Sequence, residues 1–163
     1  MHLHRLLALT GVAIGIVGLF FRGLATEGEG ALAALSQQSD SFPDGIPTIW
    51  GGLETWAQVT LVVLILIVVT IAVRPYLELT FQHRAAVIVS GCGVVLLAYA
   101  AIKYLDAGDS ADTLQAGFRQ AAGAGIPGIM AWSVSPGIGF FVLMIGTSMV
   151  ALAGVLSLIS PER

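Results

Sequence analysis

Hydrophobic and polar positions are segregated along this chain into long blocks. Four stretches, 6–21, 55–73, 85–102 and 120–161, contain no Asp, Glu, Lys or Arg, and every charged residue lies between or outside them. An α-helix rises about 1.5 Å per residue, so roughly 20 apolar residues cross a hydrocarbon core of about 30 Å. The pattern predicts an all-α integral membrane protein, a four-transmembrane-helix bundle with spans at about 5–22, 55–73, 85–102 and 136–159. Two long outer loops, 23–54 and 103–135, and one short inner loop, 74–84, complete a single membrane domain over 1–163.

Local chemistry sets the boundaries. The first span has the shortest charge-free core, and its flanking Arg5 and Arg22 are expected to snorkel to the headgroups and extend it. Gly23-Leu24-Ala25 offers small residues for signal-peptide cleavage, but Arg22 just upstream favours retention of the helix. The second span, Trp56–Val73, is rich in Val, Leu and Ile and stops at Arg74-Pro75, where proline ends the hydrogen-bond ladder. Lys103 closes the third span, and the fourth begins at Pro136 or Gly137. Within the outer loops, Gly30–Gln38 reads as a short surface helix and Ser39–Pro47 as turns. Ser110–Ala122 reads as a separate helix capped by Ser110, with Leu114, Phe118 and Ala121 on one face.

Composition agrees with membrane residence: 56% of the 163 residues are hydrophobic and 10% charged, and mean hydropathy is +0.91. The single cysteine, Cys92, falls mid-span, which excludes an intramolecular disulfide and reads as a small buried hydrophobe. The charges also set an orientation. The N-terminus, the 74–84 connection and the C-terminus carry Arg5, Arg74, Arg84 and Arg163 against Glu78 and Glu162, a net of +2. The two long loops carry Arg22, Lys103 and Arg119 against Glu27, Glu29, Asp40, Asp44, Glu54, Asp106, Asp109 and Asp112, a net of −5. Basic residues favour the cytoplasmic face, so both termini are expected in the cytoplasm, with Trp50, Trp56 and Trp132 in an outer interfacial belt.

The halves of the chain echo one another. Gly45-Ile46-Pro47-Thr48-Ile49 recurs as Gly125-Ile126-Pro127-Gly128-Ile129, each copy preceding a tryptophan, and Thr10-Gly11 matches Ser90-Gly91. These positions suggest a tandem repeat of two helical hairpins, a 2+2 arrangement with a parallel pseudo-twofold axis along the membrane normal. The two Gly-Ile-Pro segments would then lie side by side in one outer cap, with Gly45, Ile46, Pro47, Trp50, Gly125, Ile126, Pro127 and Trp132 as its candidate residues.

Gly11, Gly15 and Gly18 share roughly one helix face, and Gly139, Gly146 and Gly154 recur along the fourth span. Glycine lets a neighbouring backbone approach closely, so these are helix-packing candidates, either within the bundle or against a partner. Asp106, Asp109 and Asp112 are spaced by three, but Gly108 interrupts them and no calcium-loop pattern is present, so a solvated acidic loop is expected. His2, His4 and His83 lie outside the spans, where haem ligation between helices would not place them. No catalytic, cofactor or metal site is predicted. Coupled transporters and proton relays place ionisable groups within their spans, and these spans hold none.

The layout resembles the claudin-like tetraspan class, with cytoplasmic termini, a long first outer loop and a short inner turn. Trp50-Gly-Gly-Leu-Glu-Thr-Trp56 echoes its Trp and Gly-Leu-Trp elements, but the class's pair of outer-loop cysteines is missing. The Ala/Gly/Val bias and the Pro136-Gly-Ile-Gly-Phe140, Gly146 and Gly154 pattern are also similar to small four-span proteins of high-GC bacteria. Both resemblances imply layout alone. The expected function is therefore a non-enzymatic bacterial plasma-membrane protein, an accessory or scaffold subunit of a larger membrane complex. It would contact lipid and either other membrane subunits or its own copies, and no nucleic acid. The alternative is a small oligomeric channel or a lipid- or solute-handling membrane protein.

Overall fold

The computed structural model describes residues 2–37, 42–73 and 81–159. Among these the order of elements is α1 (Leu3–Leu19), β1 (Leu24–Thr26), α2 (Glu29–Ser36), α3 (Thr55–Val73), α4 (His83–Gly123), β2 (Val134–Pro136) and α5 (Gly139–Ile159). Three of the helices, α3, α4 and α5, are long and apolar enough to cross a membrane, and α1 is a shorter apolar helix of 17 residues. The protein is a mostly helical bundle suited to a bilayer. The Arg74-Pro75 stop, Asp40, Glu78, Glu162 and Arg163 lie outside the described residues.

Residue contacts give the helix directions. Gly11 faces Gly146 while Gly18 faces Gly139, so α1 and α5 run antiparallel. Gly93 faces Ala151 and Ser90 faces Gly154, so α4 is antiparallel to α5 as well. Arg5, at the start of α1, reaches Ile71 and Ala72 at the end of α3. The four long helices therefore alternate in direction. They bury one cluster around Val68, Val89 and Val150 and a second around Leu61, Leu96 and Leu143.

The largest departure from the sequence reading concerns residues 103–135. Instead of ending at Lys103, α4 continues unbroken to Gly123, for 41 residues or about 60 Å. The polar side chains of this stretch find their partners on the helix itself. Lys103 pairs with Asp106 at 2.9 Å one turn on. Ser110 and Thr113 turn their hydroxyls back to the carbonyls of Asp106 and Asp109, each at 2.9 Å. Ser110 is thus a mid-helix residue and not a cap, and Gly108 is accommodated with open space around it.

The projecting half of α4 supports a small cap with its own core. Leu114, Phe118 and Ala121 bury one face of it against Leu32 and Leu35 of α2 and against Val134. Beneath this core, β1 and β2 pair antiparallel, Leu24 opposite Pro136 and Thr26 opposite Val134. Since β1 follows α1 and β2 precedes α5, the pair fastens together the cap-proximal ends of two helices far apart in sequence. Gly137 donates to the Gly23 carbonyl at 2.9 Å. A Cβ at Gly137 would stand 2.0 Å from the Arg22 carbonyl oxygen, so only glycine fits this crossing.

Candidate functional site

The glycine positions and the cap residues are the two groups of candidates, and the structure places them in different parts of the molecule. Five of the six helix-packing glycines line two tight seams along α5. On one side, a Cβ at Gly11 would meet the Gly146 carbonyl at 2.6 Å, and one at Gly18 would meet the Leu143 amide at 2.8 Å. Gly139 is equally close to the Gly18 carbonyl, at 2.7 Å. The sixth, Gly15, is looser on its own account, with Leu143 at 3.8 Å, but its amide lies 2.5 Å from a Cβ at Gly146. On the other side of α5, Gly154 meets the Ser90 amide at 2.4 Å. Real Cβ atoms do not sit under 3.0 Å from backbone, so any side chain here forces the helices apart.

Sequence reasoning passed over a partner in this second seam. Gly93 packs on Ala151 with a would-be Cβ only 2.4 Å from its amide, as close as Gly154 to Ser90. The signal was present in Gly91-Cys92-Gly93, where Gly91 faces open space and Gly93 the neighbouring backbone. Ser157, one turn from Gly154, donates to the Phe81 carbonyl at 3.4 Å, tying the end of α5 to the residues that lead into α4.

Arg5 also departs from expectation. Rather than snorkelling outward it is 6% exposed, donating to the carbonyls of Ile71 at 2.9 Å and Ala72 at 3.0 Å. Its guanidinium lies 5.0 Å from the centre of the Phe81 ring. The last carbonyls of a helix lack intrahelical donors and carry partial negative charge. A fixed cation answers both needs, so Arg5 acts as a C-terminal clamp on α3. At the other end of α1, Arg22 is largely exposed and pairs with Glu29 at the start of α2.

The cap candidates divide by depth. Ile46, Ile126 and Trp132 pack against the cap core, with Phe118 and Trp132 edge-to-face at 5.3 Å. The Trp132 ring lies on Gly28, where a Cβ would meet it at 2.5 Å. Trp50 instead joins the upper bundle core beside Leu19 and Phe140. Pro47 accepts from Gly23, Ile49 donates to Phe21 and Trp50 donates to Leu19, so residues 47–50 satisfy the free carbonyls where α1 ends. Gly45 and Pro127 are exposed, and Gly125 takes a positive φ of 74° in the turn leaving α4.

Both Gly-Ile-Pro segments reach the cap core, through Ile46 and Ile126. Pro47 shares a cleft of about 260 Å³ with Asp106, Ala107 and Ser110. Ile126 donates to the Ala121 carbonyl, roughly three helical turns further along α4. An adjoining cleft of about 550 Å³ runs past Asp109, Thr113 and Gly117 beneath Phe42 and Pro43. Asp106 and Asp109 thus open onto these neighbouring clefts and Asp112 is exposed. Among the described residues, no three His, Cys, Asp or Glu side chains converge in a way that would hold a metal ion.

Comparison with family models, with curated proteins and with solved structures finds no match to this chain. The geometry must carry the functional argument. It provides a bundle whose small-residue faces are engaged internally and a packed cap raised on an unbroken helix.

Proposed function

We propose that this protein is a non-enzymatic, multi-pass plasma-membrane protein that serves as an accessory or scaffold subunit of a larger membrane complex. The observation that carries the reading is the cap, which has its own apolar core built onto the same helix that enters the bundle. A segment that only joined two spans would be short and would need no core. Because the glycine faces are engaged between α1, α4 and α5, the docking surface for other subunits is assigned to the cap and its clefts rather than to those faces.

In this reading α1 is the fourth span. At 17 residues it covers about 25 Å, and it packs antiparallel along α5, so it shares the depth of a helix long enough to cross. The positive-inside asymmetry then puts both termini in the cytoplasm and the cap outside. The 2+2 repeat is retained as a proposal about ancestry, supported by the recurring Gly-Ile-Pro segments and by α1 and α4 lying on α5 in the same direction.

Two experiments test the proposal. Single cysteines at Ser39, Gln82 and Ser110, in a background lacking Cys92, should label from outside at the first and third positions only. External labelling at Gln82 would reverse the orientation. Crosslinkers placed at cap positions should capture a stoichiometric membrane subunit that copurifies in detergent. Conductance or solute flux from the reconstituted protein alone would replace the scaffold reading with a small oligomeric channel.

A further inference from the structure

The bundle is not equally tight on all sides. Between the first three turns of α3 and the first half of α4 lies a groove of about 190 Å³, lined by Ala57, Thr60, Leu61, Leu64, Val95 and Leu96. Its walls are almost wholly apolar, and Val95 is 56% exposed beside it. Trp56 and Tyr99 also line it, and polar groups gather around them. The Lys103 ammonium lies 5.9 Å from the centre of the Tyr99 ring and 2.9 Å from Asp106. The Trp56 indole donates to Glu54, which holds that carboxylate at the α3 side of the opening.

Both helices are long and apolar enough to cross a membrane, so the groove opens to lipid. Aromatic rings and a lysine at the end of an apolar groove match the headgroup level of a bilayer. The charges then discriminate among headgroups. Beside the groove, though outside its lining, the Lys103 ammonium and the carboxylates of Asp106 and Glu54 sum to −1, and Lys103 and Asp106 also line the cleft beside Pro47. An anionic headgroup would add to that excess, whereas a zwitterion with a phosphate and a primary ammonium can answer both signs.

We propose that the α3–α4 groove is a binding site for one phosphatidylethanolamine-type phospholipid. An acyl chain fills the groove, the phosphate meets Lys103, and the headgroup ammonium donates to Glu54. Of the candidate lipids, a quaternary ammonium lacks the N–H groups to donate to a carboxylate, and a glycerol headgroup lacks the positive charge.

Native mass spectrometry of the delipidated full chain, titrated with phosphatidylethanolamine and separately with phosphatidylglycerol, tests the proposal. One phosphatidylethanolamine should be retained with about tenfold preference, corresponding to ~1.4 kcal/mol of charge complementarity. Glu54→Gln keeps an oxygen for the Trp56 indole and should abolish the preference. Val95→Trp fills the groove from an exposed position and should remove retention of both lipids. Unfolding temperature of each variant serves as the folding control, and Glu54→Gln, at an exposed position, decides the question if Val95→Trp fails to fold. Equal retention of the two lipids, preference for phosphatidylglycerol, retention of neither, or a preference unchanged by Glu54→Gln would each overturn the assignment.

Discussion

Helices α5 and α3 are close in length and apolar throughout, yet they hold opposite positions in the molecule. In α5, 39% of the membrane-length window lies inside the fold, against 22% in α3. Hydrophobicity does not separate them, because lipid tails are as apolar as leucine and supply no force that drives helices together. Residue size does. α5 carries Gly139, Gly146, Ala151, Ala153 and Gly154, which let α1 and α4 approach to backbone contact on two sides. α3 is built from Val, Leu and Ile, with Ala57, Leu61, Val68 and Ala72 as its buried residues. Its position depends on a few contacts and on polar anchors at its two ends, Arg5 at one and Gln58 at the other.

The most direct way to break this contrast is to give α5 a side chain where it has none. Gly146→Leu should abolish recovery of folded protein, since its Cβ alone would stand 2.5 Å from the Gly11 carbonyl. The cost should be about 3 kcal/mol or more, read as loss of a monodisperse species in detergent. Gly91→Ala, facing open space, should leave the same profile unchanged. Next in size is Arg5→Ala, which leaves the carbonyls of Ile71 and Ala72 without their donor. A loss of about 1.5–3 kcal/mol is expected, with the end of α3 becoming the most exchange-labile part of the bundle in hydrogen–deuterium measurements. Wild-type protection there would show that α3 is held by packing alone.

Substitution on the lipid face of α3 should do much less. Val63 is 48% exposed, and Val63→Ala should shift stability by no more than about 0.5 kcal/mol in a thermal scan. An effect of the same small order belongs to Lys103–Asp106. The hydrogen bond from Lys103 to Asp106 pushes the ammonium above its ordinary value. Its contribution is therefore complete below the unfolded value of about 10.4 and is lost as pH rises through the folded one. With Lys103 39% exposed and Asp106 55%, solvent screening limits the pair to about 0–1 kcal/mol, measurable as a narrowing gap between wild type and Lys103→Gln at alkaline pH.

The apolar helices were legible because absence of charge over some 20 residues is a long, redundant signal. The helical face of Leu114, Phe118 and Ala121 was also readable, since all three are buried together. What misled was the charge beside it. Lys103, Asp106 and Asp109 mark where lipid-compatible sequence stops, which is a different boundary from where a helix stops. The i, i+3 ion pair supports the turn, and Ser110 and Thr113 satisfy their hydroxyls on the helix's own carbonyls. The β1–β2 pair has three residues a side, too short for any alternation to show. Nothing local to Arg5 announces that the end of α3 will lie beside it. The glycine spacings were visible, while the choice of α5 as their common partner depends on tertiary arrangement.

The place of α5 in the chain has a consequence for biogenesis. During synthesis α1 emerges first, but the backbone it is shaped to meet belongs to the last of these helices. Until α5 arrives, the Gly11 and Gly18 face has no native counterpart, and the two strands that clasp α1 to α5 cannot form. Assembly therefore ends with a long-range closure, and a nascent chain stalled before α5 would offer a small-residue surface to whatever insertion factor or quality-control protease surveys the membrane.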